Sequence, residues 1–334
     1  MAETAHKLFV LPNRTYQAQV RSEIKKLAAG AGFSAKRFSE FEIIIAEITS
    51  NLVKHTLKGG EILVKILSGD HPGIEIISVD HGPGMEFINN MMEDGISTTK
   101  TLGQGLGAIR RLSHEFDAYS LKGWGTVLLS RLYNIPPPAT KQLLQSGTIV
   151  VAKDGDAYSG DNFAVFRKGN IQHVVICDGL GHGEQASIAA ICCLEAYNKV
   201  KDLAPAEQLR HIHAEARKTR GAVMYVAQID CNNGIMHYCG VGNIAAKIIS
   251  PGGKSKNCSS YNGIVGHSFP GTVHSYKVEW EKADILIMHS DGLNTRWDLQ
   301  KYPGILRHDR ILLATALYKD HCRKTDDTLV SVIG

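Results

Sequence analysis

Hydrophobic and polar positions divide the first 133 residues into short strands and amphipathic helices. Two-residue alternation predicts strands, and apolar residues three or four apart predict helices. The predicted strands are KLFVL, EILVKILS, GIEIISVDHG and GTVLLSRLY. The predicted helices are YQAQVRSEIKKLAAGAG, AKRFSEFEIIIAEITSNLVKHTL and GLGAIRRLSHEFD. This mixture is typical of an α+β domain with a largely antiparallel sheet.

A proline run in YNIPPPATKQ, residues 133–142, interrupts the pattern. Three consecutive prolines cannot continue a helix or a central strand, so they predict a stiff, extended linker. The strands predicted after it are TIVVAKDGD, DNFAVFRKGN, IQHVVICDGLGHG, AVMYVAQID, IMHYCGVGN, AAKIISPGG, VEWEKADILIMHSDG and DDTLVSVIG, and the helices are EQASIAAICCLEAYNKV and AEQLRHIHAEARKT. We therefore predict an α+β fold with two domains, residues 1–135 and 145–334, joined by a linker at 136–144.

Composition excludes several classes of protein. The net charge of +4 is too small to indicate nucleic-acid binding by itself. No apolar run approaches the roughly 20 residues of a membrane span, and the N-terminus lacks the pattern of a signal peptide. The seven cysteines contain no CxxC pair, as is typical of reduced thiols. We expect a cytoplasmic protein that binds neither nucleic acid nor a membrane.

Polar residues in the first half suggest a nucleotide site. Glu47 and Asn51 lie four residues apart, on one face of the long predicted helix. An amide oxygen at this place can hold Mg²⁺, and a carboxylate one turn away can act as a general base. Asp80 ends a predicted strand and is followed by Gly82 and Gly84, whose bare backbone lets a ring approach. An acid in this position can accept a hydrogen bond from a nucleobase amino group.

A glycine-rich stretch, GQGLG, precedes the next predicted helix and contains Gly103, Gly105 and Gly107. The N-terminus of a helix favours phosphate through its free N–H groups and its dipole. Gly125 and Thr126 follow on a strand that could contact the base. Taken singly, each of these motifs is usually a solvated helix face or a turn, and GxGxG alone is weak evidence for a nucleotide.

Aspartates mark the predicted strand ends of the second half. They are Asp161 in SGDNF, Asp178 in CDGLGHG, Asp291 in HSDGL, and Asp326 and Asp327 in KTDDTLV. Convergent carboxylates are what hard divalent cations need, and two such ions can activate water for attack on a phosphoester. An isolated Asp-Gly is normally a turn signal, but four such sites in this order favour a metal centre.

The four motifs of the first half, in their order, resemble the motifs of the GHKL (Bergerat) ATP-binding fold, an α/β sandwich. EITSNLVKH and GQGLGAIRRLSHEFD are similar to the RsbT side of the RsbT and RsbW group of serine protein kinases. The resemblance implies ATP with Mg²⁺ as cofactor. It assigns Mg²⁺ to Asn51, general-base catalysis to Glu47 and adenine recognition to Asp80. The resemblance also implies that the nucleotide is bound, through backbone or side chain, by Gly82, Gly84, Gly103, Gly105, Gly107 and Thr126.

The aspartate motifs of residues 145–334 resemble metal-dependent serine/threonine phosphatases of the PPM class, in the SpoIIE and RsbX branch. The resemblance implies a β-sandwich flanked by helices and a pair of Mn²⁺ or Mg²⁺ ions. The implied metal-binding residues are Asp161, Asp178, Gly179 through its carbonyl, Asp291, Asp326 and Asp327. Thr328 follows the paired acids directly, without the residue that usually intervenes, so the choice between Asp326 and Asp327 stays open. His182 is either a phosphate contact or an ordinary loop histidine.

Together the two resemblances imply a bifunctional regulator that phosphorylates and dephosphorylates serine. The implied partners are STAS-domain proteins of a sigma-factor or stress pathway, including stressosome-like scaffolds. A non-enzymatic ATP-sensing switch, and a phosphatase whose GHKL domain only recruits substrate, are the alternatives. The presence of both Glu47 and Asn51 disfavours the switch. The sequence leaves a homodimer open.

Overall fold

The computed structural model describes residues 5–56, 58–86, 102–138 and 144–334, and only the backbone of 102–104. The chain packs into two compact units. The N-terminal unit comprises His6–Lys141 and Tyr302–Ala316, and the C-terminal unit comprises Met1–Ala5, Gln142–Lys301 and Leu317–Gly334. The predicted domain limits remain predictions, but residues 302–316 pack with the N-terminal unit rather than with their neighbours in sequence. None of the helices in the described residues is long and apolar enough to cross a membrane.

Within its described residues, the N-terminal unit has one antiparallel sheet and three α-helices before the linker. The strands are β1 Lys7–Leu11, β2 Gly60–Leu67, β3 Gly73–Asp80, β4 Glu115–Leu121 and β5 Gly125–Tyr133, in the order β1-β2-β3-β5-β4. The helices are α1 Gln17–Ala28, α2 Ala35–His55 and α3 Leu102–Leu112. Ser34 caps α2 by accepting a hydrogen bond from the Arg37 N–H at 3.3 Å.

One apolar face of α2 organises the core of this unit. Phe41, Ile44 and Ile48 recur at helical spacing and are buried against apolar residues of the sheet, including Ile62 and Ile76. The polar residues Glu47 and Asn51, near the C-terminal end of the same helix, are only partly buried.

The C-terminal unit is a sandwich of two antiparallel five-stranded sheets. One sheet has the order β13-β10-β9-β8-β7 and the other β12-β11-β14-β15-β6. The strands are β6 Ser146–Val151, β7 Asp161–Lys168, β8 Ile171–Gly179, β9 Ala222–Asp230, β10 Ile235–Val241, β11 Ala245–Ile249, β12 Ser255–Asn257, β13 Tyr276–Glu279, β14 Ile285–His289 and β15 Thr328–Ile333. Helices α4 Glu184–Val200 and α5 Pro205–Ala216 follow β8, and α6 covers Arg310–His321.

Two apolar clusters hold this unit together. Between the sheets, Phe163 and Tyr225 pack with Met288 and Leu329. On the outer face of the first sheet, Tyr197 of α4 packs with residues of β8 and β9. The expected sandwich flanked by helices is therefore confirmed.

Three predicted elements were wrong in detail. The helix predicted over GLGAIRRLSHEFD begins earlier, at Leu102, and ends at Leu112, and its last residues belong to β4. The predicted strand VEWEKADILIMHSDG is split into β13 and β14 by a turn. Helix α6 was not predicted, because its residues 311–318 are all buried and present no polar stripe.

Candidate active sites

A cavity of about 140 Å³ lies in the N-terminal unit between α2 and the ends of β3 and β5. Its lining includes the predicted residues Asn51, Asp80, Gly84 and Thr126, together with Ile48, Leu52, His55, Ser78, Pro83, Met85, Leu106 and Leu128. Apolar side chains form most of this wall, and its polar residues are Asn51, His55, Ser78, Asp80 and Thr126. An aromatic base with one amino group fits such a lining.

The turn after β3 shows why glycine recurs in DHGPG. The Gly82 N–H donates to Asp80 Oδ1 at 2.7 Å. Gly84 has φ +65°, and a Cβ there would lie 1.8 Å from the Leu121 carbonyl oxygen. Gly125 has φ +115°, and its Cβ would collide with the Asp80 carbonyl oxygen at 2.2 Å. The backbones of this turn and of the β4–β5 turn therefore pack so closely that side chains are excluded.

Helix α3 brings its glycines against the candidate general base. A Cβ at Gly105 would lie 2.7 Å from Glu47 Oε2 and 3.5 Å from Asn51 Oδ1. The expectation that Gly103, Gly105 and Gly107 precede the helix was wrong, since α3 begins at Leu102 and all three lie within it. Their place in the helix allows α3 to approach α2 closely at Glu47 and Asn51. The threonine-rich residues 98–101 lie outside the described residues.

Sequence reasoning missed three polar residues near this cavity. Ser120 Oγ accepts the Met85 N–H at 2.8 Å and lies 3.0 Å from Thr126 Oγ1. His55 lines the cavity, and burial, followed by the charge of Lys54, lowers the pKa of its imidazole. The third is Arg21 of α1, whose guanidinium lies close to the candidate base Glu47.

Two hydrogen bonds to α2 hold the Arg21 guanidinium in place. Its Nε donates to Thr49 Oγ1 at 2.6 Å and its Nη2 donates to the Ala46 carbonyl at 2.8 Å. Burial lowers the pKa of Arg21, and the charge of Glu47 opposes the shift. A fixed positive charge therefore lies near the candidate base Glu47. No motif marked Arg21, because its role depends on the packing of α1 on α2.

The C-terminal unit brings four predicted aspartates to one cleft. Asp161 begins β7 and is paired with Asp178, near the end of β8. Asp178, Asp291 and Asp326 line a cleft of about 330 Å³ together with Leu180, Gly181, Val223, Gly242, Asn243, Asn262 and Gly263. Residues from the β8, β10 and β14 ends and from the segment before β15 thus converge, as the sequence predicted for a metal centre.

The electrostatics of the cleft are those of crowded acids. Burial first, and then the charge of Asp178, raises the pKa of Asp161 well above its usual range. Burial, with the charges of Asp291 and Asp326, raises the pKa of Asp178 to about 8. Such shifts mark a site that needs positive charge to hold its carboxylates ionised.

Asp326 and Asp327 occupy different environments. Both Asp327 oxygens accept backbone N–H groups, from Lys153 at 2.8 Å and from Gly160 at 2.7 Å. Asp326 instead lines the cleft beside Asp178. The geometry therefore favours Asp326 as the metal-binding member of the pair and gives Asp327 the task of fixing the loop before Asp161.

Two further side chains, missed in the sequence, hold the acids in place. The Ser290 hydroxyl donates to Asp161 Oδ2 at 2.7 Å, and its oxygen accepts the Leu329 N–H at 2.9 Å. The Asn243 amide donates to Asp291 Oδ2 at 2.9 Å. Both interactions join residues far apart in sequence, so no local pattern could have revealed them.

The remaining predicted residues lie at the edge of this cleft. Gly179 packs against α4, where a Cβ would lie 2.1 Å from the Ala186 carbonyl oxygen. His182 Nδ1 lies 2.7 Å from Asp156 Oδ2, so its partner is a protein carboxylate. Cys177 is fully buried in the cluster beneath α4, as expected of a core residue.

The residues of the cleft fit a hard divalent cation. Asp161 Oδ1 is buried and has no hydrogen-bond partner among the described residues, which leaves a carboxylate oxygen for a ligand. In the same residues, no three His, Cys, Asp or Glu side chains surround a single ion position. Mg²⁺ commonly keeps several waters and takes only one or two carboxylates, so an open set of this kind suits it.

Both halves match known families. Residues 11–131 match the histidine kinase-like ATPase domain, and residues 168–330 match the family described as stage II sporulation protein E, SpoIIE. A curated relative, the serine/threonine-protein kinase RsbT of Bacillus subtilis (strain 168), is 33% identical over 30% of this chain and 77% of its own length. The phosphoserine phosphatase RsbX of the same organism is 25% identical over 42% of this chain and 71% of its own.

Among solved structures, one described as "The bacterial stressosome: a modular system that has been adapted to control secondary messenger signaling" is similar to this chain. It has a TM-score of 0.54 and 27% sequence identity, and the match covers 57% of this chain and 99% of that one. This similarity in sequence and fold concerns the matched 57% of the chain only.

Proposed function

Because residues 11–131 belong to the histidine kinase-like ATPase domain family and residues 168–330 to the SpoIIE phosphatase family, we propose that this chain is a bifunctional regulator of protein serine phosphorylation. One half would transfer phosphate from ATP to serine, and the other would hydrolyse the product. The observation that carries the proposal is the convergence of Asp178, Asp291 and Asp326 on one cleft, with Asp161 paired to Asp178 in the adjoining sheet.

For the phosphatase half, we assign metal binding to Asp161, Asp178, Asp291 and Asp326, with the Gly179 carbonyl as a further oxygen. Divalent ions bound there would supply a nucleophilic water for in-line attack on phosphoserine. The protein's own contribution is to orient the carboxylates through hydrogen bonds from side chains and backbone.

For the kinase half, Asp80 would accept a hydrogen bond from the adenine amino group while its partner Gly82 holds the carboxylate in place. Asn51 would bind Mg²⁺ through its amide oxygen. Glu47, one turn away, would accept the proton of the attacking serine hydroxyl.

The proposed substrates are STAS-domain proteins of a partner-switching pathway that controls a sigma factor or a stress response. The similarity to RsbT and RsbX, and to a chain of a stressosome structure, supports this class of partner. Mg²⁺ with ATP would serve the kinase, and Mn²⁺ or Mg²⁺ the phosphatase.

The test is to incubate the chain with labelled ATP and a candidate STAS protein. Asp178→Asn should stop dephosphorylation, while phosphorylated substrate accumulates at least as fast as with the parent. Glu47→Ala should retain ATP and lose about 10²–10⁴ in phosphorylation rate. Asp154→Asn is a matched control, since Asp154 is exposed and lies outside both sites.

The outcomes separate the proposal from its alternative. If Glu47→Ala changes nothing because the parent transfers no phosphate, the N-terminal unit is an ATP-sensing or STAS-binding module of a phosphatase. If Asp178→Asn keeps full phosphatase activity, the proposed metal site is wrong.

A further inference from the structure

The phosphatase cleft is lined by acids and by neutral groups. Its charged lining residues are Asp178, Asp291 and Asp326, and its neutral polar side chains are those of Asn243 and Asn262. Among the described residues that line it, none is Lys, Arg or His. A phosphoserine dianion bound to metal in this cleft would still present oxygens on its outer side, away from the carboxylates. Donors for those oxygens must come from the rim.

The turn before β9 places an arginine on that rim. The Leu180 N–H donates to the Gly221 carbonyl at 3.0 Å, which fixes the turn against the loop that follows Asp178. Gly221 has φ +80°, and its packing against Val265 and His267 leaves no room for a Cβ. Arg220 Nη1 lies 3.3 Å from the position of a Cβ at Gly181, and Gly181 lines the cleft.

The Arg220 guanidinium is available to a ligand. Its side chain is exposed, and no hydrogen bond or ion pair within the described part of the chain involves it. His182, in the loop beneath, is already paired with Asp156.

Two other cations, Arg217 and Lys218, lie close to Arg220 in sequence. Burial, and then the charge of Arg217, lowers the pKa of His213 on α5. Lys218 lies near Cys192 on α4, where its charge opposes the rise that burial causes in the pKa of that thiol. Arg217 and Lys218 are exposed, as Arg220 is, and they therefore serve as control positions.

We propose that Arg220 binds the phosphoryl group of the substrate, donating from its guanidinium to the oxygens that face away from the carboxylates. This inference rests on the proposed phosphatase function. The planar guanidinium matches two oxygens of a phosphate at once, and it stays charged at any working pH. The contact would supply positive charge at the rim, while the metal-binding acids occupy the floor.

Inorganic phosphate is the probe, because it carries the recognised group without the protein that bears it. Its affinity is measured by isothermal titration calorimetry at a fixed excess of Mg²⁺ in the full-length parent and in Arg220→Ala, Arg220→Lys, Arg217→Ala and Lys218→Ala. Charge-assisted hydrogen bonds of this kind are worth about 10- to 100-fold in affinity. We expect Arg220→Ala to lose that factor, Arg220→Lys to lose less, and the two control variants to stay within about twofold of the parent.

A second measurement separates phosphate binding from a structural effect. Mg²⁺ affinity, titrated without phosphate, should be the same in Arg220→Ala as in the parent. The KM for a phosphoserine protein should rise in the same order as the phosphate dissociation constant.

Several results would overturn the inference. They are parent-like phosphate affinity in Arg220→Ala, an equal loss in Arg217→Ala, weakened Mg²⁺ binding, or a parent that binds no phosphate in the presence of Mg²⁺. Failure of the proposed function looks different, since the parent would then bind phosphate and respond to Arg220→Ala yet hydrolyse no phosphoserine.

Discussion

The outer face of the N-terminal sheet contains an ion-pair network whose energy can be measured. Arg131 on β5 is only 13% exposed. Its Nε lies 2.5 Å from Glu75 Oε2, and its Nη1 lies 2.8 Å from Glu115 Oε2 and 3.0 Å from Asp309 Oδ2. Asp309 belongs to the segment 302–316 that packs with this unit. One buried guanidinium therefore joins three carboxylates, one of them from the distant segment.

The magnitudes follow from burial and from the partners that remain. Asp309 is 28% exposed, so its pair with Arg131 should contribute about 1 kcal/mol. Asp309→Asn removes this charge but keeps the acceptor for the Ile311 N–H at the start of α6, because Asn caps helices as well as Asp does. Arg131→Met should cost about 3 kcal/mol, the lower end for a broken buried pair, because Lys65 still faces Glu75.

The assay is urea unfolding followed through Trp124, in a background with Trp280→Phe and Trp297→Phe. Trp124 is then the sole tryptophan and reports on the N-terminal unit. The double variant Arg131→Met with Asp309→Asn should be less destabilised than the sum of the single variants by about 1 kcal/mol. Strict additivity would show that Asp309 does not interact with Arg131, and would refute the packing of 302–316 described above.

The same network sets a pH dependence. Burial tends to raise the pKa of Glu75, but Arg131, Lys65 and His6 outweigh it and hold that pKa well below its usual range. A carboxyl with a depressed folded pKa stabilises the fold above its unfolded pKa, about 4.5, and this contribution is lost as the pH falls from there. The unfolding free energy of the parent should therefore drop more steeply below pH 4.5 than that of Arg131→Met.

Other substitutions test the two sites separately. In EDTA, Asp178→Asn should raise the melting temperature measured by differential scanning fluorimetry, and by more at pH 8 than at pH 5. The reason is that burial and neighbouring acids raise the pKa of Asp178 to about 8, so ionising this carboxyl destabilises the folded protein as the pH rises. The gain should shrink when Mg²⁺ is added. Measured by calorimetry, Gly84→Ala should destabilise the fold and weaken ATP binding more than Gly123→Ala does. Both glycines have positive φ, but only at Gly84 would a Cβ clash with the Leu121 carbonyl oxygen. Asp80→Asn should lose preference for ATP over GTP in competition binding, and an unchanged preference would contradict its role.

Much of the fold could be predicted because the local patterns are strong. Helix α2 follows the 3.6-residue period of Phe41, Ile44 and Ile48, and β3 is an apolar run that ends at Asp80. The order of motifs then placed the candidate nucleotide residues around one cavity. Strand ends likewise predicted that Asp161 and Asp178 would meet, since both lie at one edge of a sheet.

Other features depend on packing that a sequence does not display. Residues 115–117, the start of β4, were predicted as helix because they follow directly on the helical run of α3. The place of residues 302–316 depends on contacts such as Asp309 with Arg131, which are 178 residues apart. Such contacts join single charged residues and leave no periodic pattern in the sequence, so they cannot be predicted from it.

The neighbours Asp326 and Asp327 show how the backbone separates residues that the sequence leaves equivalent. Asp326 lies in a bend and Asp327 directly precedes β15, and the two side chains have different surroundings. Asp327 meets the N–H groups of Lys153 and Gly160, whose bonds occupy both of its oxygens. A carboxylate engaged in this way has little left for a cation, whereas Asp326 stands in the cleft beside Asp178. The chain can thus place Asp326 for metal binding and use its neighbour Asp327 to fix the loop that precedes Asp161.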